Sequence, residues 1–257
     1  MTKYPIILVH GLAFRDTKFT KAFGKIENKL SEAGYPVCTA NIDAFGTVEN
    51  NAQQLKDIIL GILSDTNADK VNIIAHSKGG LDSKYMILHL DMSDKVSSLT
   101  TLCTPHKGSP VATKIWGLPM WLKKCLSFFI NGFYKIMGDK NPDSLKACEQ
   151  LKATENPADS DNVDDNVYYQ SYSATLRNKK DCLLMAISMN VLVKSGEARN
   201  DGMVSEKSSI FGTYKGECLD ESVSHTQIVD FLAKRKNRHK IFEFYIKLCK
   251  ELEEAGH

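Results

Sequence analysis

The chain has 257 residues, 42% of them hydrophobic and 25% charged, with a formal net charge of +2. That length can bury one sizeable core, and that composition excludes a disordered or collagen-like chain. A charge so near neutral excludes nucleic acid as the main partner.

Taken in chain order, residues 5–9 (PIILV) form a short apolar run that ends at His10 and Gly11. Such a run predicts a strand buried on both faces, as in a parallel sheet. Residues 37–42 predict a second strand. Residues 48–63 predict a helix with Leu55, Ile58, Ile59 and Ile62 on one face. A third strand is expected at 71–75, a helix at 79–90 and a fourth strand at 96–104. Strands that alternate with helices predict an α/β fold with a mostly parallel sheet flanked by helices. Residues 116–137 are crowded with large apolar side chains, and Lys123 and Lys124 are expected on the polar side of this segment. Residues 155–165 are acidic without EF-hand spacing, which reads as a solvated loop. Strand-like pieces return at 167–173 and 183–187. The end, 228–254, reads as mostly helical and carries a basic cluster at 234–240. The whole is expected to be one domain spanning residues 1–257.

The seven cysteines (Cys38, Cys103, Cys125, Cys148, Cys182, Cys218 and Cys249) are scattered and show no CxxC spacing. This speaks against a disulfide framework and a structural zinc site. An apolar strand so close to Met1 leaves no room for a signal peptide, so the expected location is the cytoplasm, or outside the cell if a leader has been removed. No apolar run is long enough to predict a transmembrane helix. Oligomeric state leaves no mark in the sequence.

Residues 71–80 (VNIIAHSKGG) carry the sharpest chemical signal. A buried strand runs into a small residue, then x-Ser-x-Gly, then a helix, which is the context of a nucleophile elbow. Ala75 stands where the usual motif has glycine and keeps the position small. Ser77 is the candidate nucleophile, beside a helix N-terminus whose amides favour a developing oxyanion. The backbone N–H of Lys78 and that of Leu12, just after His10 and Gly11, are the candidate oxyanion donors.

A serine hydroxyl needs an adjacent base, and in this arrangement the chain order is serine, acid, histidine. His225 sits in a polar loop before the C-terminal helix and is the best-placed base. His76 and His106 read as structural, His89 lies within a helix, His239 falls in the basic run and His257 ends the chain. Asp201, in an Asp-Gly turn followed by apolar residues, is the candidate acid. It would hold the imidazole tautomer without taking the proton. Asp220, Asp181 and Asp165 remain rivals.

Four segments now stand in order: YPIILVHGL at 4–12, IIAHSKGGL at 73–81, TPHKGS at 104–109 and NDGMVS at 200–205. Together they resemble the bacterial triacylglycerol lipase family of α/β-hydrolases. The resemblance implies Ser77, Asp201 and His225 as a triad, with Leu12 and Lys78 as oxyanion donors. It implies a helical lid inserted at about 110–165, and an acyl ester or lipid as substrate, with contact at a lipid interface. The family often carries a structural calcium with an aspartate two residues after the catalytic histidine. Here that position is Gln227, a poorer ligand, so no metal and no cofactor is expected. The expected activity is that of a serine hydrolase cleaving carboxylic esters, a triacylglycerol lipase first. The alternatives are a carboxylesterase for short acyl esters and a hydrolase-like fold that only binds.

Overall fold

The computed structural model describes residues 1–153 and 162–257. Six strands form one sheet: β1 (Ile6–Val9), β2 (Val37–Ala40), β3 (Val71–His76), β4 (Val96–Leu102), β5 (Tyr168–Ser173) and β6 (Thr213–Glu217). Their order is β2-β1-β3-β4-β5-β6. Every pair is parallel. The described helices are α1 (Ile26–Glu32), α2 (Val48–Thr66), α3 (Lys78–His89), α4 (Pro110–Trp116), α5 (Met120–Ile136), α6 (Ser144–Gln150), α7 (Ala186–Lys194), α8 (Glu206–Ser209) and α9 (Arg235–Glu254).

Successive strand residues point to opposite faces, and both faces are covered. Ile6 and Leu8 of β1 and Ile74 of β3 pack with Ile26 and Leu30 of α1 and with Ile241, Tyr245, Leu248 and Leu252 of α9. Ile7 and Val9 of β1 and Ile73 and Ala75 of β3 pack with Ala52, Leu55 and Ile59 of α2 and with Met86 and Ile87 of α3. This is why β1 reads as an unbroken apolar run, and β3 as one interrupted by Asn72, rather than as alternating patterns. Helix α2 starts where Thr47 accepts a hydrogen bond from the Asn50 amide at 3.2 Å, and ends at Asn67 in the left-handed conformation.

The α/β sandwich agrees with the sequence-based expectation, and the sheet is parallel throughout. One predicted element fails and one strand was not predicted. Residues 183–187 are not a strand: Leu183–Met185 is a 3-10 turn that leads into α7. Leu183, Leu184 and Ile187 are exposed, so their apolar run was no sign of a buried strand. The sixth strand is β6 instead, a partly exposed edge (TYKGE) with no apolar pattern to betray it. The acidic stretch 155–165 lies mostly outside the described residues. Among the described residues no helix is long and apolar enough to cross a membrane.

The chain leaves β1 towards one edge of the sheet and returns at β3 to build towards the other. The crevice above the carboxyl ends of β1 and β3 is thus a topological switch point, the favoured ligand site of open parallel sheets.

Candidate active site

At the end of β3 the backbone turns through Ser77, which takes φ 54° and ψ −131°. A non-glycine residue in that region is strained, and such strain is characteristic of functional turns. The turn fits because its neighbours lack side chains. A Cβ on Gly11 would stand 2.6 Å from the Ser77 Cβ, and one on Gly79 would stand 2.4 Å from the His10 carbonyl oxygen. The two segments that flank Ser77 therefore pack backbone to backbone. Lys78 opens α3, so its N–H has no acceptor within the helix. Leu12 lies in the loop after β1 and lines the same cavity as Ser77.

Asp201 lies on the long connection between β5 and β6, and His225 on the loop after β6. The His225 Nδ1 is 2.6 Å from Asp201 Oδ2, and its Nε2 is 2.8 Å from Ser77 Oγ. A carboxylate only accepts, so Nδ1 carries the proton, and Nε2 is left to accept from the serine hydroxyl. Asp201 Oδ1 accepts from the Met203 and Val204 amides at 2.8 and 2.7 Å, which fixes the carboxylate. The His225 amide also donates to the Asp201 carbonyl at 2.9 Å. All three side chains are buried.

The structure thus brings Ser77, Asp201 and His225 into one line of hydrogen bonds. It leaves the rival residues elsewhere. Asp181 pairs with Lys234, His239 pairs with Glu243 at the surface, and His257 meets Ser97. His106 is buried against Phe211 and bonded to Thr101.

Three further features at the site were not read from the sequence. His76 donates from Nε2 to the His225 carbonyl at 2.9 Å, and its ring lies 4.6 Å from the His225 ring. Burial holds its pKa well below the usual histidine value, so it is a neutral prop for the His225 loop. The Lys78 side chain is buried in an ion pair with Asp82, one turn along α3, at 2.6 Å. Asn51 of α2 donates to the same carboxylate at 3.0 Å. Burial raises the Asp82 carboxyl to about 6 even though Lys78 and Asn51 pull it down. The i, i+4 spacing of Lys78 and Asp82 was visible, but nothing showed that it would be buried. Third, Cys103 brings its sulfur within 4.8 Å of ligand atoms on Asp201 and His225. A hydrogen bond to Cys218, burial and the nearby Asp201 hold this thiol well above its usual pKa, so it stays protonated.

Gln227, two residues after His225, is committed to the loop. Gln227 Oε1 accepts from the Ser224 amide at 3.0 Å, and its Nε2 donates to the Asp181 carbonyl at 3.1 Å. Both ends of the side chain are engaged in holding the loop, and neither offers a charged oxygen.

Ser77 and His225 open into a cavity of about 540 Å³ with mostly apolar walls, including Ile115, Phe133, Met137, Leu151, Met185 and Val204. Helix α5 forms part of its roof. Phe133 and Tyr134 face the cavity, and the Tyr134 hydroxyl donates to the Ala13 carbonyl at 2.9 Å. Outside it, Trp121, Phe128, Phe129 and Ile136 are exposed, so this aromatic-rich helix is not packed into a core. Lys123 departs from expectation: it is buried, donates to the Trp116 carbonyl at 2.6 Å and lies over the Trp116 ring at 3.9 Å.

Sheet, elbow and hydrogen-bonded trio define an α/β-hydrolase with a serine triad geometry. The comparisons with known proteins agree. Residues 3–114 match the family model described as Lipase (class 2). Over 118 residues the chain is 40% identical to a triacylglycerol lipase of Pseudarthrobacter phenanthrenivorans, which covers 43% of this chain and 36% of that protein. It is 26% identical to a triacylglycerol lipase of Pseudomonas fragi across 99% of this chain and 98% of that one. Among solved structures it is similar to Staphylococcus hyicus lipase, with TM-score 0.70 and 15% identity over 99% of this chain and 97% of that chain. The chain is thus similar to bacterial triacylglycerol lipases, and the stretch matched at 40% identity spans about a third of the length of the first of these curated relatives.

Proposed function

We propose that the protein is a serine hydrolase that cleaves the carboxylic esters of acyl lipids. The observation that carries this reading is the chain of hydrogen bonds Ser77–His225–Asp201 at the mouth of an apolar cavity. In the proposed mechanism His225 takes the Ser77 proton as Oγ attacks the ester carbonyl carbon. The Leu12 and Lys78 amides receive the negative charge on the carbonyl oxygen. His225 then gives its proton to the leaving alcohol, and the acyl group stays on Ser77. Water attacks the acyl-enzyme with His225 again as base, which releases the carboxylic acid and restores the serine. Asp201 keeps the imidazole oriented throughout.

The apolar walls suit an acyl chain, and they place lipase activity ahead of esterase activity on short acyl groups. Helix α5 serves as a lid in this reading. Its inner face roofs the cavity, and its exposed aromatic face would rest on a lipid surface. The test is hydrolysis of p-nitrophenyl esters of increasing acyl length by the parent protein and Ser77→Ala. Activity that grows with acyl length and vanishes in Ser77→Ala supports the proposal. Silence of the parent on every ester, emulsified ones included, overturns it.

A further inference from the structure

The cavity that holds Ser77 has a charged side. Two charged residues line it, Arg15 and Lys21, both on the loop that follows β1, and among the described residues no carboxylate does. Thr17 and Thr20 of the same loop add hydroxyl groups. Arg15 is not a surface residue that happens to reach inward: its side chain is only 11% exposed. One nitrogen of its guanidinium, Nη1, pairs with Asp139. Asp139 is shared, however, because it also accepts from the Ala44 and Phe45 amides at 3.0 and 2.9 Å. The guanidinium lies against the Gly138 backbone, where a Cβ would stand 3.3 Å from Nη2. Its Nε–H is buried and has no acceptor. Lys21 is held by Asp16 at 2.5 Å, and its side chain is 62% exposed.

A guanidinium offers a planar fork suited to carboxylate and phosphate oxygens. A neutral glyceride would find no use for two cations beside the cavity. An anionic oxygen against the part of the Arg15 side chain that lines the cavity would form a charge-assisted hydrogen bond. Resting on the hydrolase reading above, we propose that this cavity selects acyl esters whose head group carries a phosphate. Arg15 is the specificity-determining residue and Lys21 a secondary, solvent-exposed attraction. The acyl chain lies along the apolar walls and the phosphate against the loop after β1.

The experiment compares octanoylglycerol with octanoylglycerol phosphate, both below their micelle concentrations, as substrates for the parent, Arg15→Gln, Arg15→Lys and Lys21→Gln. The expected result is a kcat/KM about tenfold higher for the phosphate ester in the parent. This preference should fall as salt is added. It should disappear in Arg15→Gln, survive in part in Arg15→Lys and weaken in Lys21→Gln, a surface change that leaves folding intact. Equal rates on the two esters, or a preference untouched by Arg15→Gln in protein that melts normally, would overturn the proposal. Non-cleavable octyl ether analogues separate it from the hydrolase reading. If no ester is cleaved, tighter binding of the phosphate ether by the parent than by Arg15→Gln still supports this inference, and equal binding of both ethers overturns it.

Discussion

Asp201 reaches His225 with one carboxylate oxygen while the other is tied to two backbone amides. Replacing it with asparagine keeps the size and the Oδ1 bonds, but an amide NH2 would then face Nδ1. The imidazole must turn its lone pair to Nδ1 and carry its proton on Nε2, where it can no longer accept from Ser77. Asp201→Asn should therefore lose on the order of 10⁴-fold in kcat with little change in KM. Steady-state kinetics on a soluble ester check this, and a loss smaller than about tenfold would remove Asp201 from the mechanism. Chain order and local context pointed to Ser77 and His225, whereas Asp201 stood among rival aspartates until the four segments were read together as a family resemblance. Cys103 was not legible as a neighbour of the site, and neither was the bond from His76, which flanks Ser77 in sequence, to the His225 loop. His76 meets a carbonyl 149 positions away, and Cys103 meets Asp201 only because both loops rise from the same end of the sheet.

Elements come next, and α3 is joined to α2 by the buried set Lys78, Asp82 and Asn51. Breaking such a pair leaves one charge without water or partner. Lys78→Met alone should destabilise the fold by about 3–5 kcal/mol, whereas Lys78→Met with Asp82→Leu should come close to the parent, because two apolar groups replace two buried charges. Denaturant melts of the four proteins of this cycle check it, and additive losses would mean that the ion pair is not coupled. On α5, Trp121 is 72% exposed, while Trp116 of α4 stacks on Lys123 of α5. In Trp116→Phe protein the remaining emission should shift to the blue on addition of emulsified lipid, as Trp121 leaves water. An unchanged spectrum would count against α5 as an interfacial lid. Strand β1 was readable because it is apolar at every position and β3 because it nearly is, whereas the buried β4 (VSSLTTL) and β5 (YYQSYS) carry serines and threonines or tyrosines and showed a weaker pattern. Strand β6 was not readable, since its neighbour β5 holds it at an edge by backbone pairing, and Leu183 to Ile187 misled because their apolar run is displayed to solvent.

At the scale of the whole molecule the buried histidines set the response to acid. Burial depresses His10 to about 4 and His106 to about 3, and it holds His76 well below its usual value. Each must stay neutral in the folded state, whereas the unfolded chain takes up protons near 6.5. The unfolded state therefore binds more protons below that pH. The stability these residues confer is complete above about 6.5 and drains away as pH falls towards 4. A depression of the size found for His10 corresponds to a loss of about 3 kcal/mol once the full range is crossed. Asp82 works in the opposite direction, since its raised carboxyl favours the fold in acid and loses that contribution as pH climbs from near 4 to about 6. Three histidines outweigh one carboxyl, so the melting temperature should be level near neutrality and decline steadily from about pH 6.5 downwards. His106→Gln, which can keep a hydrogen bond to Thr101 but cannot take a proton, should decline less steeply than the parent. A decline of equal slope in the two proteins would show that His106 is free to protonate in the fold, and would place the acid sensitivity elsewhere.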